Sequence, residues 1–283
     1  MTEQFIQERL YLTGVSPKTV IWYRMSFRQF AGALASKGEM VDRIKVLKDR
    51  GASHITINSY LRAANAYFHW RDGKGEKCSP QCTHIHIPRL KEEQKILATL
   101  SPEQIKRLVQ FKPVKRNETR VHVMALCAMD TGLRLGELLR LRRQDVDLDN
   151  LVLRVHGKGD KHRLVPVSIE LRKVLFRYLS RQSSSPSSGL VFCTVTGTSV
   201  SIHNSDRDFK ILYRKLNITG VRTSFHPLRH TMATNYLRAG GNLYYLQRIL
   251  GHSSITTTER YVRSLGIADI QKVHDGLSLL SSM

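Results

Sequence analysis

The sequence predicts a mainly α-helical fold with a small β-sheet confined to the second of two domains. Three observations carry this. From residue 1 to about 72, apolar residues recur at three- and four-residue steps with no alternating pattern. From 72 to 99 the periodicity lapses into glycine, proline and charge, as expected between domains. One pair of alternating segments, near 151–155 and 164–167, flanks a glycine-bounded turn and reads as a hairpin. At 283 residues the chain has length for two cores.

The first domain is expected over 1–75. Ser16 and Pro17 form an N-cap and first-turn pair. Val20, Tyr23, Phe27, Phe30 and Leu34 then make one stripe along a helix of about five turns. A shorter helix should cover Val41 to Asp49, stopped by Gly51. Ser53 caps another, with Ile57, Tyr60, Leu61, Ala64, Tyr67 and Phe68 on its inner face. Helical spacing assigns these aromatics to the core rather than to base-stacking platforms.

The linker is expected over 76–99. It contains Cys78, Cys82, His84 and His86, which invite a zinc reading. The spacing is too cramped for paired zinc knuckles, so no metal is expected there. Four cysteines in such a chain suggest reduced thiols and a cytoplasmic protein.

The second domain is expected over 100–283. Ser101-Pro102-Glu103-Gln104 opens a helix. Another runs from about Glu118 to Asp130, with Val121, Met124, Ala125 and Leu126 inward, and ends at Thr131-Gly132-Leu133-Arg134. Leu135 to Leu141 resumes as a short helix, followed by the hairpin. Ile169 to Arg181 and His203 to Leu216 are helical, separated by the loop Ser183 to Gly189. Pro227 suits a first helical turn, which sets His226 and Arg229 one turn apart at a helix N-terminus. Leu243 to Leu250 is a helix closed by Gly251, and Ile267 to Leu280 is a last one, apolar on one side.

Charge narrows the partner. Lys+Arg 45 against Asp+Glu 23 gives +22. The surplus is shared: 14 basic and 7 acidic residues fall in 1–90, and 31 and 16 in 91–283. Two basic domains suit a polyanion better than one basic tail does, so nucleic acid is favoured. The N-terminus lacks an export signal, and the longest apolar run, Val123 to Met129, is too short to span a membrane.

Around Phe225–Arg263 the sequence gathers chemistry: His226, Arg229, His252 and Tyr261. A helix N-terminus already favours an anion, and an H-x-x-R pair adds cationic and hydrogen-bonding groups. That set suits a phosphate attacked by a phenol. Each piece alone is weak, since such pairs, glycine turns and late tyrosines occur widely.

Taken together, TGLRLGELLRL (131–141), HGKGDKHRLVPV (156–167), HPLRH (226–230) and LGHSSITTTERY (250–261) resemble the tyrosine recombinases, the phage-integrase family. In size the chain is similar to the simpler two-domain members: chromosome-dimer resolvases, integron integrases and small transposon recombinases. The resemblance implies a helical core-binding domain followed by a mixed α/β catalytic domain. It implies catalytic roles for Arg134, Lys158, His226, Arg229, His252 and Tyr261, with Glu137 and His230 in support. A DNA phosphodiester would be joined to Tyr261 while a 5′-hydroxyl leaves. Arg134 and Arg229 would bind the phosphoryl oxygens with forked donors that keep their charge. His226 would take the phenol proton, Lys158 would protonate the leaving oxygen, and His252 would hold a phosphoryl oxygen. No metal or nucleotide cofactor would be needed.

Double-stranded DNA is the implied partner. The implied assembly is a monomer in solution and a homotetramer on two sites, with residues 267–280 lent to a neighbour. Two rivals stand beside this reading: a type IB topoisomerase using a similar set, and a DNA-binding regulator that kept the fold and lost catalysis.

Overall fold

The computed structural model describes every residue except 31, 35, 73–84, 93–96, 158–161, 183–187 and 278–283. Contacts divide the chain into two units, Met1–Lys95 and Ile96–Met283.

The first unit holds four helices: α1 (Thr2–Tyr11), α2 (Pro17–Gln29), α3 (Lys37–Asp49) and α4 (His54–Asp72). The Ser16 side chain accepts the Thr19 N–H, and Pro17 starts α2. Val20, Tyr23, Phe27 and Phe30 are buried on the predicted stripe. Yet α2 ends at Gln29, five residues before Leu34. Phe30 leaves helical geometry and Gly32 adopts φ +80, a left-handed turn open to glycine. Helix α3 starts earlier than its apolar pattern does, because Ser36 caps it by accepting the Glu39 N–H. On α4, Ile57, Leu61, Ala64, Tyr67 and Phe68 are buried as expected. Phe5 of α1 completes the aromatic core, edge-on to Tyr23 at 5.0 Å and to Tyr67 at 5.9 Å. Each buried ring contributes about 1.5–3 kcal/mol through area removed from water.

Residues 85–92 read from composition as connector. They are docked on α4. The Asn58 amide donates to the Leu90 carbonyl (2.9 Å) and accepts its N–H (2.8 Å). Two turns on, Asn65 does the same for Ile87 at 2.9 Å each way. Such amides satisfy backbone groups that have no helix or sheet partner. His86 is exposed, while Cys78, Cys82 and His84 lie outside the described residues.

The second unit begins with α5 (Pro102–Gln110), opened by the predicted Ser101/Gln104 capping box. Next come α6 (Arg116–Thr131) and α7 (Leu135–Arg140). Helix α6 is buried on nearly every side and packs against later helices, so its apolar residues exceed one stripe. Leu126, expected inward, is only half-buried.

A three-stranded antiparallel sheet follows, in the order β1 (Val146–Asp147), β2 (Val152–His156) and β3 (His162–Pro166). β2 and β3 are the predicted hairpin, and Leu153, Val155 and Val165 face the core. The two-residue β1 is too short to show alternation in sequence.

The remaining helices are α8 (Ile169–Ser180), α9 (Ile202–Lys215), α10 (His226–Arg238), α11 (Leu243–Leu250), α12 (Thr256–Val262) and α13 (Ile267–Leu277). Among the described residues no helix is long and apolar enough to cross a membrane.

Candidate active site

The site forms where α6, α7, α10, α11 and α12 end or begin. Gly132 closes α6 with φ +63. A Cβ on it would come within 2.6 Å of the Leu250 side chain and 3.0 Å of the Met232 sulfur. Only glycine lets α6 end this close to α10 and α11. Arg134 follows as the N-cap of α7, with its backbone N–H donating to Glu137 at 2.8 Å.

Arg229 sits on the first turn of α10, 6% exposed. It donates to the Gly132 carbonyl, the Leu250 carbonyl (2.9 Å) and His252 Nε2 (2.9 Å). Burial, and then the neighbouring Arg134, lower its pKa to about 10, which leaves it charged at neutral pH. Arg134 donates to Glu137 (2.9 Å) and to the Gly251 carbonyl (3.1 Å).

His252 follows the left-handed cap Gly251, φ +63. Its Nδ1 bonds Thr258 at 2.9 Å, so its ring is fixed from both sides. Burial, followed by Arg229 and Arg134, lowers its pKa to about 4 and keeps it neutral.

Tyr261 lies on α12, a helix not evident from the apolar spacing. It is 2% exposed. Its ring stacks parallel to His252, with centroids 6.3 Å apart. Its hydroxyl is 3.3 Å from His230 Nδ1. The imidazole touching the phenol is therefore His230, which the sequence assigns only a supporting place. Burial, followed by Arg260, lowers the His230 pKa to about 4. His226, the expected proton acceptor, is exposed and lies one ring further out, its centroid 6.4 Å from that of His230. Its pKa is lowered by burial first and by Arg222 next.

Glu137 is buried, 5% exposed. Burial raises its pKa, but bonds from Arg163 and from the Arg134 N–H and guanidinium outweigh that and hold it at about 2. Arg163 is the residue missed in the sequence. It sits on the inward face of β3 beside Val165. An arginine at an inward position of a half-buried strand signals a buried acidic partner, and that signal was legible.

A cleft of about 1290 Å³ opens over this cluster, lined by Arg134, Glu137, Arg163, Gly251 and His252. Tyr261 does not line it. Arg140 and Arg248 do, exposed and without a bonded partner among the described residues. Gly157, at the end of β2, lines it too, whereas Lys158 lies outside the described residues.

A helical unit carrying a basic surplus, and a second unit gathering two arginines, two histidines and a tyrosine, define a tyrosine recombinase. The chain belongs to the phage integrase family, whose pattern matches residues 98–266. It is 28% identical over 279 residues to tyrosine recombinase XerA of Thermococcus kodakarensis, covering 97% of this chain and 94% of that one. To tyrosine recombinase XerC of Xanthomonas campestris pv. campestris it is 30% identical over 286 residues, covering 96% and 86%. Its fold matches that of the Tn1549 transposon integrase in complex with transposon right-end DNA, with TM-score 0.77, 20% identity, and 98% and 99% of the chains covered. It also matches XerH bound to its palindromic difH substrate, with TM-score 0.75, 18% identity, and 99% and 85% covered.

Proposed function

We propose that this site-specific tyrosine recombinase cleaves and rejoins double-stranded DNA through a 3′-phosphotyrosine on Tyr261. The observation that carries the assignment is Tyr261 stacked parallel to His252, which Arg229 bonds at 2.9 Å, with its hydroxyl 3.3 Å from His230.

In this reading the phenol oxygen forms a bond to phosphorus as the bond from phosphorus to the 5′-oxygen breaks. His226 takes the phenol proton once a shift of α12 carries Tyr261 from His230 into its reach. Lys158, beside the cleft residue Gly157, gives a proton to the leaving 5′-oxygen. Arg134 and Arg229 neutralise charge on the phosphoryl oxygens, and His252 donates to one of them. The new phosphodiester conserves the bond energy, so another 5′-hydroxyl can reverse the attack. Arg140 and Arg248 contact backbone phosphates at the cleft rim. Because Tyr261 is buried, α12 must shift before attack.

Residues 1–75 act in this reading as the core-binding domain. Four protomers assemble on two DNA sites, each lending α13 to a neighbour. Supporting that loan, α13 leaves Ile267 80% and Ile270 52% exposed. The reaction takes place on DNA in the cytoplasm.

Covalent capture tests the proposal. The protein is incubated with fragmented genomic and flanking DNA and quenched in SDS, and the linked DNA is sequenced beside a Tyr261→Phe control. Enriched adducts that vanish in the control are expected. Tight, salt-sensitive binding without an adduct would instead indicate a silent regulator, and relaxation without strand exchange a topoisomerase.

A further inference from the structure

We infer that Arg163 is a positioning residue for DNA cleavage, a guanidinium that sets the mutual register of three catalytic elements without touching the DNA. The inference rests on the phosphotyrosine reading above and extends it to a residue that reading does not use.

Arg163 spends three donors on two elements. Nη1 and Nη2 grip the two oxygens of Glu137 at 2.9 and 2.8 Å, and Nε donates to the Ile249 carbonyl at 2.9 Å. Its side chain is 15% exposed and that of Glu137 is 4% exposed, so the pair works in a poorly solvated setting. Each end of this strut reaches a proposed catalytic group. Glu137 also accepts from the Arg134 guanidinium and from its backbone N–H, so Arg163 holds Arg134 through one shared carboxylate. Ile249 is in the last turn of α11, three residues before His252. The third element is the hairpin itself. Arg163 lies on β3, paired with Val155, one register step from the His156–His162 pair that closes the loop containing Lys158.

The backbone shows independently that this position is reserved. A Cβ on Gly251 would stand 2.8 Å from Arg163 Nη1 and 2.9 Å from both Cζ and Nε. The chain keeps a glycine where the guanidinium needs room, immediately before His252. Three acceptors at fixed angles match a planar fork; a lysine ammonium offers a point charge and cannot span them. Loss of the fork would free the hairpin, tilt Arg134 and loosen the α11 end together. Displacements of about 1 Å in such groups cost on the order of 10²-fold in rate.

The test uses the full chain and a half-site duplex recovered by covalent capture, comparing wild type, Arg163→Lys and Arg163→Met. Half-site affinity is read by gel shift, and cleavage by single-turnover adduct formation. Both variants should bind within about twofold of wild type, since the Arg163 donors are already committed to Glu137 and the Ile249 carbonyl. Cleavage should fall roughly 10²-fold in Arg163→Met, and Arg163→Lys should recover less than tenfold of that. A second substrate carries sulfur at the bridging 5′ position, whose thiolate leaves without a proton. On it, the deficit of both variants should shrink but stay near tenfold, because Lys158 placement no longer matters while that of Arg134 and His252 does. Wild-type cleavage by Arg163→Lys would overturn the proposal, as would binding and cleavage falling in parallel. Should Arg163→Met not fold, the lysine variant decides alone. Absence of any adduct with wild type would instead strike the phosphotyrosine reading itself.

Discussion

The Tyr261 hydroxyl stands 3.3 Å from His230 Nδ1, with its ring parallel to that of His252 and shut away from the cleft. Attack on a phosphodiester requires this bond to break. A net hydrogen bond is worth about 0.5–1.5 kcal/mol. His230→Ala is therefore expected to speed single-turnover adduct formation by roughly 2- to 10-fold while lowering the melting temperature. Slower adduct formation at unchanged DNA affinity would make His230 part of the cleavage chemistry.

Tyr261→Phe keeps the buried ring and removes only the nucleophile. Half-site affinity should stay within about twofold and adducts should vanish. Tyr244 and Tyr245, 66% and 62% exposed on α11, are the other candidates by sequence position. Their Phe variants should still form adducts; loss of adduct in either would move the nucleophile.

His230 and His252 have pKa values of about 4 in the folded chain against an ordinary value of 6.5. Depressed values mean the unfolded state takes up protons that the folded state refuses. Their contribution to stability is thus intact above 6.5 and lost as pH falls from 6.5 towards 4. The melting temperature should drop between pH 7 and 5, and a His230→Ala/His252→Ala variant should show a shallower slope. An identical slope in the variant would refute that source.

Gly251→Ala places a Cβ at φ +63 against the Arg163 guanidinium. The left-handed backbone alone costs about 1–2 kcal/mol. Denaturant melts should show at least that loss, with cleavage falling more than binding. Equal stability would show that Arg163 yields without cost.

Deleting residues after 266 removes α13, which is tied to α10 through the Arg238–Asp269 pair at 3.2 Å. The truncated protein should bind a half-site and form no synapse. Sedimentation or native gels on paired sites check this, and a normal tetramer would remove α13 from that role.

Much of the fold was legible wherever a cap met a stripe. Ser16–Pro17, Ser101–Gln104 and Gly251 mark helix ends that the structure places within a residue of expectation. Where one signal was missing, the boundary slipped. The helix expected to reach Leu34 stops at Gln29, because its apolar residues run on into a turn that still packs on the core. Residues 85–92 looked like linker because amide-to-backbone pairing leaves no periodicity behind. At the site, residue types were readable from their order along the chain, whereas contacts were not. Nothing in HPLRH distinguishes His226 from His230 until α12 lays Tyr261 against one of them.

Ile249, Leu250 and Gly251 end α11 with three carbonyls aimed at Arg163, Arg229 and Arg134 in turn. Countercharge for the guanidinium cluster therefore comes from the negative end of a helix as well as from Glu137, its one carboxylate partner among the described residues. Main-chain oxygens do not change when a codon does. Point substitutions along α11 can drift while the arginines stay aimed, whereas a one-residue insertion or deletion would rotate the last turn by about 100° and scatter all three acceptors. Divergence in this stretch is thus expected as exchange of side chains at constant length.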